Sequence, residues 1–182
     1  MVDPVSGGRT RLSVEQARRL PSALGRPPDF VIGEAHDPYL ARWWVIPRNR
    51  WFNVYLHNIR RDDDDLALHD HPWWSVSFPL TGGLREVRPQ GERRLRRFRP
   101  YLRRATARHR LVVGSPRVEP GRAGPPPARV WTLFLTGPRL RDWGFHCPQG
   151  FVPWWEFTDP DDPGRVGRGC GETDTVIRGD RP

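Results

Sequence analysis

His69-Asp70-His71-Pro72-Trp73-Trp74-Ser75-Val76-Ser77-Phe78-Pro79-Leu80 is the stretch whose phase decides the fold. Alternate residues of a β-strand share a face. The odd positions give His69, His71, Trp73, Ser75 and Ser77, a polar set with two metal-type ligands. The even positions give Trp74, Val76, Phe78 and Leu80, an apolar set. In a small barrel the ligand face is the interior. The apolar outer face then needs cover from another sheet, from the N-terminal segment or from a partner subunit.

The flanking sequence has the same texture. Short β-type runs separated by turn residues fall near 30–33, 41–46, 52–60, 73–80, 84–88, 93–98, 109–114, 130–136, 143–146 and 151–157. Thr81-Gly82-Gly83 reads as a hairpin turn. About ten short strands with one helix predict an all-β sandwich or barrel. The helix is expected from Ser13, where Ser-Val-Glu-Gln forms a capping box with Gln16, and it should stop before Pro21. The expected organisation is a leader and short helix over 1–27, a barrel over 28–158 and a disordered tail over 159–182. Residues 115–129, with five Pro and two Gly, are expected to be a mobile connection between two strands.

Composition narrows the class. The 182 residues suit one domain with a real core. Gly 18 and Pro 21 argue against a helical bundle. No apolar run approaches the roughly 20 residues of a membrane helix, and no secretory apolar segment opens the chain. Two cysteines, Cys147 and Cys170, make no disulfide framework, so free thiols and a cytoplasmic location are expected. The net charge of +9 comes from 30 arginines and no lysine, and it is concentrated. Residues 85–110 hold 11 Arg against Glu86 and Glu92, while the remainder is neutral. Three readings of this cluster rank as solvated strand face, steering of an anionic substrate, and nucleic-acid binding. Nucleic acid comes last because only Phe98 and Tyr101 interleave as stacking aromatics.

The two histidines at i and i+2 sit roughly 6–7 Å apart at Cα on a strand and point the same way, within reach of one metal ion. Against this stands the reading as a polar core pair or a surface pair. His109 follows 38 residues after His71, on a strand that two hairpins bring back beside the first. His69-x-His71, three residues, Ser75, six residues, Gly82 is similar to the first motif of the RmlC-like cupin superfamily, with Ser75 where a glutamate is usual. His109 stands where the second motif places its histidine. That motif is degraded: Thr106-Ala107-Arg108 replaces Pro-x-Gly, and Val113 replaces an asparagine. Asp37-Pro38-Tyr39, Arg42 to Arg48, Tyr55-Leu56-His57, Leu135-Thr136-Gly137-Pro138, Trp143-Gly144-Phe145 and Pro153-Trp154 further resemble a group of small bacterial and phage cupins, over roughly residues 28–158.

The resemblance implies a cupin jelly-roll barrel and a divalent metal held by His69, His71 and His109. Ser75 removes the usual carboxylate, leaving a site similar to three-histidine cupins such as thiol dioxygenases. Imidazole ligation suits Fe, Zn, Cu and Ni, and three protein ligands leave open positions. The first functional reading is an Fe(II) oxygenase acting on a small organic molecule, anionic if the arginines steer it. A Zn or Ni isomerase or hydro-lyase is the second, and a non-catalytic cupin that binds a small ligand or a protein is the third. Homodimerisation is expected from the apolar outer face and from cupin habit.

Other residues carry two readings each. His146 is a fourth ligand or a general acid/base, or else a polar residue at a strand end. Cys147 is a soft ligand, or an inert buried thiol. Tyr55 and His57 share a face and either line the barrel or pack beneath it. His36 reads as a loop residue. Asp62-Asp63-Asp64-Asp65 lacks the spacing of a calcium loop and reads as a solvated turn. Asp65 or Asp70 is a candidate to orient a ligand histidine. Trp73 and Trp131 are candidates for an aromatic pocket wall or for core packing; core is preferred for the tryptophans in general, with Trp73 the exception because it shares a phase with the ligands.

Overall fold

The computed structural model describes residues 20–33, 38–63, 66–113, 129–159 and 167–171. Twelve strands occur in them: β1 (Phe30–Gly33), β2 (Pro38–Trp44), β3 (Asn53–Ile59), β4 (Leu68–His69), β5 (Ser75–Pro79), β6 (Leu84–Arg88), β7 (Gly91–Leu95), β8 (Tyr101–Arg103), β9 (Arg110–Val113), β10 (Val130–Thr136), β11 (Gly144–Cys147) and β12 (Gly150–Pro153). One helical turn follows, α1 (Trp154–Phe157). All pairings among these strands are antiparallel. The predicted all-β class is observed.

The first sheet has the order β1-β2-β3-β10-β5-β8. Two three-stranded sheets, β12-β11-β4 and β7-β6-β9, complete the described strands. An antiparallel bridge between His69 and His109 joins these two end to end. The result is a second layer in the order β12-β11-β4-β9-β6-β7. One core cluster takes Leu40, Ile59 and Val130 from the first layer and Leu84, Leu95 and Val113 from the second. The layers therefore face each other across a shared interior, an arrangement consistent with a jelly roll.

The interior changes character along the strands. β10 alternates strictly, with Val130, Thr132, Phe134 and Thr136 buried. Val130 pairs with Ile59, Thr132 with His57, Phe134 with Tyr55 and Thr136 with Asn53. The apolar pair closes one end, and polar and aromatic residues fill the other. Tyr55 and His57 therefore line the barrel rather than pack beneath it. Ser75 and Ser77 of β5 point the same way, as the sequence phase predicts.

The outer face is covered in part by the N-terminal segment. Leu20 and Ala23 pack on Ala41, Trp43, Leu56 and Trp131. Trp131 lies 5.4 Å from Trp43, ring to ring, on this outer face. Of its two readings, packing holds and the pocket wall does not: in β10 it is one residue out of phase with the interior.

Several other expectations change. Residues 13–19 of the predicted helix, residues 34–37 with His36, Asp64, Asp65 and residues 114–128 of the proline-rich connection lie outside the described residues. The last predicted strand is only β12; beyond Pro153 the chain turns into α1, burying Trp154 and Phe157. Asp62 and Asp63 are not a solvated turn. Their carboxylates accept the backbone N–H groups of Val113 and Leu111, both at 2.7 Å, and so fasten the chain before β4 to β9.

The cysteines are paired. Cys147 and Cys170 form a disulfide with Cα atoms 5.5 Å apart. Cys170 is 3% exposed and shares a small core with Phe157, Phe145 and Val152. Gly167 and Gly169 donate backbone hydrogen bonds to the Phe157 carbonyl. Residues 167–171 are thus fixed to the barrel where a disordered tail was expected; residues 160–166 and 172–182 lie outside the described residues. The expectation of an inert free thiol at Cys147 is likewise corrected. Pairing needs tertiary proximity, which a separation of 23 residues does not reveal. By loop-closure entropy this bridge contributes about 3 kcal/mol. Reduction, or Cys147→Ser with Cys170→Ser, is expected to lower unfolding stability by about that amount in urea titrations. An unchanged midpoint would show that the bridge is not formed in solution.

Candidate metal centre

Three histidines converge at the seam of the second layer. His69 N–H donates to the His109 carbonyl and His109 N–H to the His69 carbonyl, both at 2.9 Å. Residues paired in this way stand directly opposite each other with side chains on one face. His71 is placed two residues on, its N–H bonded to the Ala105 carbonyl at 3.1 Å. The three ring centroids form a nearly even triangle of 4.9, 5.0 and 5.2 Å. One ring nitrogen from each lies within 4.8 Å of the others, and His71 Nε2 and His109 Nε2 are 3.4 Å apart.

The electrostatics suit a cation. Burial lowers the pKa of all three rings below that of an ordinary imidazole. For His71 and His109 the neighbouring histidines add to the lowering, whereas Asp63 and Asp70 partly offset it at His69. The rings are therefore neutral near pH 7, with lone pairs free to coordinate. His109 Nδ1 lies 3.2 Å from the Ala107 carbonyl, which fixes the proton there and leaves Nε2 as the coordinating atom. Asp63 Oδ2 stands 3.9 Å from His69 Nδ1. This donor set fits a borderline divalent ion of the Fe, Zn or Ni type, and the residues that would hold it are His69, His71 and His109.

Ser75 of β5 points into the same interior. It is fully buried opposite Thr136 in the β5–β10 register, and among the described residues neither hydroxyl has a hydrogen-bond partner. Trp73 stacks 6.2 Å from His71, and Trp143 lies 6.3 Å from its ring. The indole N–H groups of both are buried without a partner among the described residues. Phe134 stands 6.1 Å from His71, and His57 and Tyr55 stack on the Phe134 ring at 5.0 and 6.5 Å. His57 Nε2 accepts from Arg42 Nε at 2.9 Å, and burial followed by Arg42 lowers its pKa. Trp73 thus stacks on the cluster, Tyr55 is joined to it through Phe134, and Ser75 shares the inward face.

His146 is not brought to the three rings. Its Nε2 lies 3.1 Å from Asp70 Oδ2. Asp70, 2% exposed, also accepts from Arg141 at 2.6 Å and from the Gly144 N–H at 3.1 Å. Asp70 sits one residue out of phase with His69 and His71, so it ties β4 to β11 instead of orienting a ligand. On the other side of β11, Gly144 permits the close approach of β12, because a Cβ there would overlap the Val152 carbonyl oxygen.

Two residues next to the site escape the sequence reading. Asp63 is hidden in a four-aspartate run. Arg103 is hidden among 11 arginines, yet it is 4% exposed and bonds Ser77 Oγ at 2.7 Å and the buried Glu86. No local pattern separates it from its solvated neighbours.

Purified protein is expected to carry about one divalent metal per chain, and His71→Ala with His109→Ala to carry none. Elemental analysis checks this, and equal metal in both would remove the site. A second expectation concerns acid. Protonating rings whose pKa is lowered costs more in the folded chain, so below the ordinary value of 6.5 the unfolded chain binds more protons. Stability of metal-free protein is then full above pH 6.5 and falls as the pH drops through it. Urea midpoints from pH 8 to pH 5 measure this fall.

No protein-family model matches the chain, and no curated protein matches it. Solved structures do resemble it. A cupin domain from Bordetella pertussis Tohama I is 16% identical, with a TM-score of 0.37 over 55% of this chain and 93% of its own. A conserved double-stranded β-helix protein from Klebsiella pneumoniae is 12% identical, with a TM-score of 0.44 over 73% of this chain and 88% of its own. An RmlC-like cupin from Ralstonia eutropha is 11% identical, with a TM-score of 0.40 over 62% of each chain.

Proposed function

We propose that the chain is a metal-dependent enzyme with a three-histidine centre, an Fe(II) oxygenase acting on a small organic molecule. The observation that carries this reading is three half-buried to buried imidazoles meeting with no carboxylate among them, rings that burial holds neutral. A bound Fe(II) supplies open coordination positions for substrate and O₂ and leaves its full charge on the centre. The chain's own part is to bind, orient and exclude water. Trp73, Trp143 and Phe134 surround the His71 ring with aromatic surface. The partnerless indole N–H groups and the Ser75 and Thr136 hydroxyls offer hydrogen bonds to substrate oxygens.

A Zn or Ni isomerase or hydro-lyase on the same ligands is the second reading. It is favoured by proton-carrying groups inside the barrel. Tyr55 and His57 stack at 5.9 Å, and the Arg42 bond to Nε2 leaves the His57 proton on Nδ1. Metal identity and oxygen uptake over a metabolite panel separate the two. The oxygenase is expected to contain iron and to consume O₂ with substrate. Turnover that proceeds equally without O₂ overturns it in favour of the second reading, and a silent panel with normal metal content favours a non-catalytic binding protein.

The proposal extends to a homodimer. On the outer face Val76 pairs with Leu102, which is 70% exposed, and Phe78 packs on Phe98, 58% exposed. Leu102→Arg is expected to convert a dimer to a monomer in light scattering. Among the described residues no helix is long and apolar enough to cross a membrane. A cytoplasmic location rested on free cysteines, and the Cys147–Cys170 bridge removes that premise.

A further inference from the structure

The arginine cluster is not a uniform solvated face. A cavity of about 460 Å³ opens between β6, β7, β8 and the loop leading to β9. Among the described residues Arg88, Arg93, Arg103, Arg104 and Arg108 line it, with Glu86 as the one carboxylate. His109, one of the three converging histidines, belongs to the same wall. Glu86 is 1% exposed and organises the arginines. Its oxygens take Nε of Arg93 at 2.6 Å and Nε of Arg103. That leaves the outer guanidinium edges unconsumed by Glu86. Arg103, 4% exposed, turns Nη1 to Ser77 Oγ, while its Nη2 is buried with no hydrogen-bond partner. Arg88 Nε is also buried without a hydrogen bond among the described residues, 3.9 Å from Glu86 Oε2. A buried guanidinium N–H without an acceptor is costly, and an anionic oxygen relieves it.

We propose that this cavity binds a phosphate group carried by a small molecule, beside the histidine centre at His109. Five guanidinium groups against one carboxylate leave four positive charges in a concave site. A phosphate monoester brings about two negative charges and three strong acceptor oxygens, which suits forked donors better than a single carboxylate does. Nucleic acid fits less well. Phe98 and Tyr101 are the stacking aromatics of this stretch, and Arg97 and Arg93 cover their ring faces at 4.7 and 4.9 Å. The inference rests on the proposed function only in assigning the cavity to the substrate; phosphate binding itself does not depend on the metal.

Calorimetric titration of chelator-treated protein with inorganic phosphate tests it. Saturable binding at one site per chain is expected, weakened about tenfold or more in Arg104→Gln with Arg108→Gln, both exposed positions where the fold is retained. Arg103→Lys, which keeps the charge and loses the fork, is expected to weaken it as well. Phosphate that does not saturate, or that binds all variants equally, overturns the inference. Single-stranded DNA binding more tightly than phosphate, with a steep salt dependence, overturns it in favour of a polyanion surface. Metal content is read in parallel on protein that has not met chelator. Normal metal without phosphate binding defeats this inference alone, and phosphate binding without metal defeats the histidine centre alone.

Discussion

The reciprocal backbone bonds between His69 and His109 hold the architecture and the chemistry together. They close two three-stranded sheets into one layer, and they set two imidazoles opposite each other on its inner face. A hydrogen-bonded antiparallel pair admits no slip of one residue without turning every side chain to the other face. The register that completes the barrel is therefore the register that assembles the ligand set. Asp62 and Asp63 reinforce it by tying the chain before β4 to the N–H groups of β9. Asp70 does the same from the other side by gripping β11.

The interior is graded rather than uniform. Leu40, Ile59, Leu84, Leu95, Val113 and Val130 supply apolar burial that stabilises one end. The other end is filled by histidines, aromatic rings, serines and threonines, and several of their polar atoms are partnerless. Buried polar groups without partners destabilise a protein and persist where function requires them. The apolar core and the disulfide-backed cluster around Phe157 flank this polar end and offset its cost.

The arginines divide along the same lines. Most of those in residues 93–99 are exposed, as expected of a solvated face. Arg103 alternates inward on β8, where Glu86 and Ser77 receive it. Burying a guanidinium on its own is prohibitive, so its position depends on a carboxylate already buried opposite. Charge composition alone therefore hides a structured cationic cavity within a basic stretch.

Much of this was legible in the sequence because a strand's period of two is rigid. The phase of His69, His71, Ser75 and Ser77 is local, and so are the strand positions and the even spacing of turn residues. These determined the all-β class, the inward face and two of the three converging rings. The tertiary structure decided what depends on partners distant in the chain. It set Trp131 outside, gave His146 to Asp70, paired Cys147 with Cys170 and drew Arg103 to Glu86. Those outcomes follow from which backbone groups and charges meet across sheets, and no local periodicity encodes such meetings.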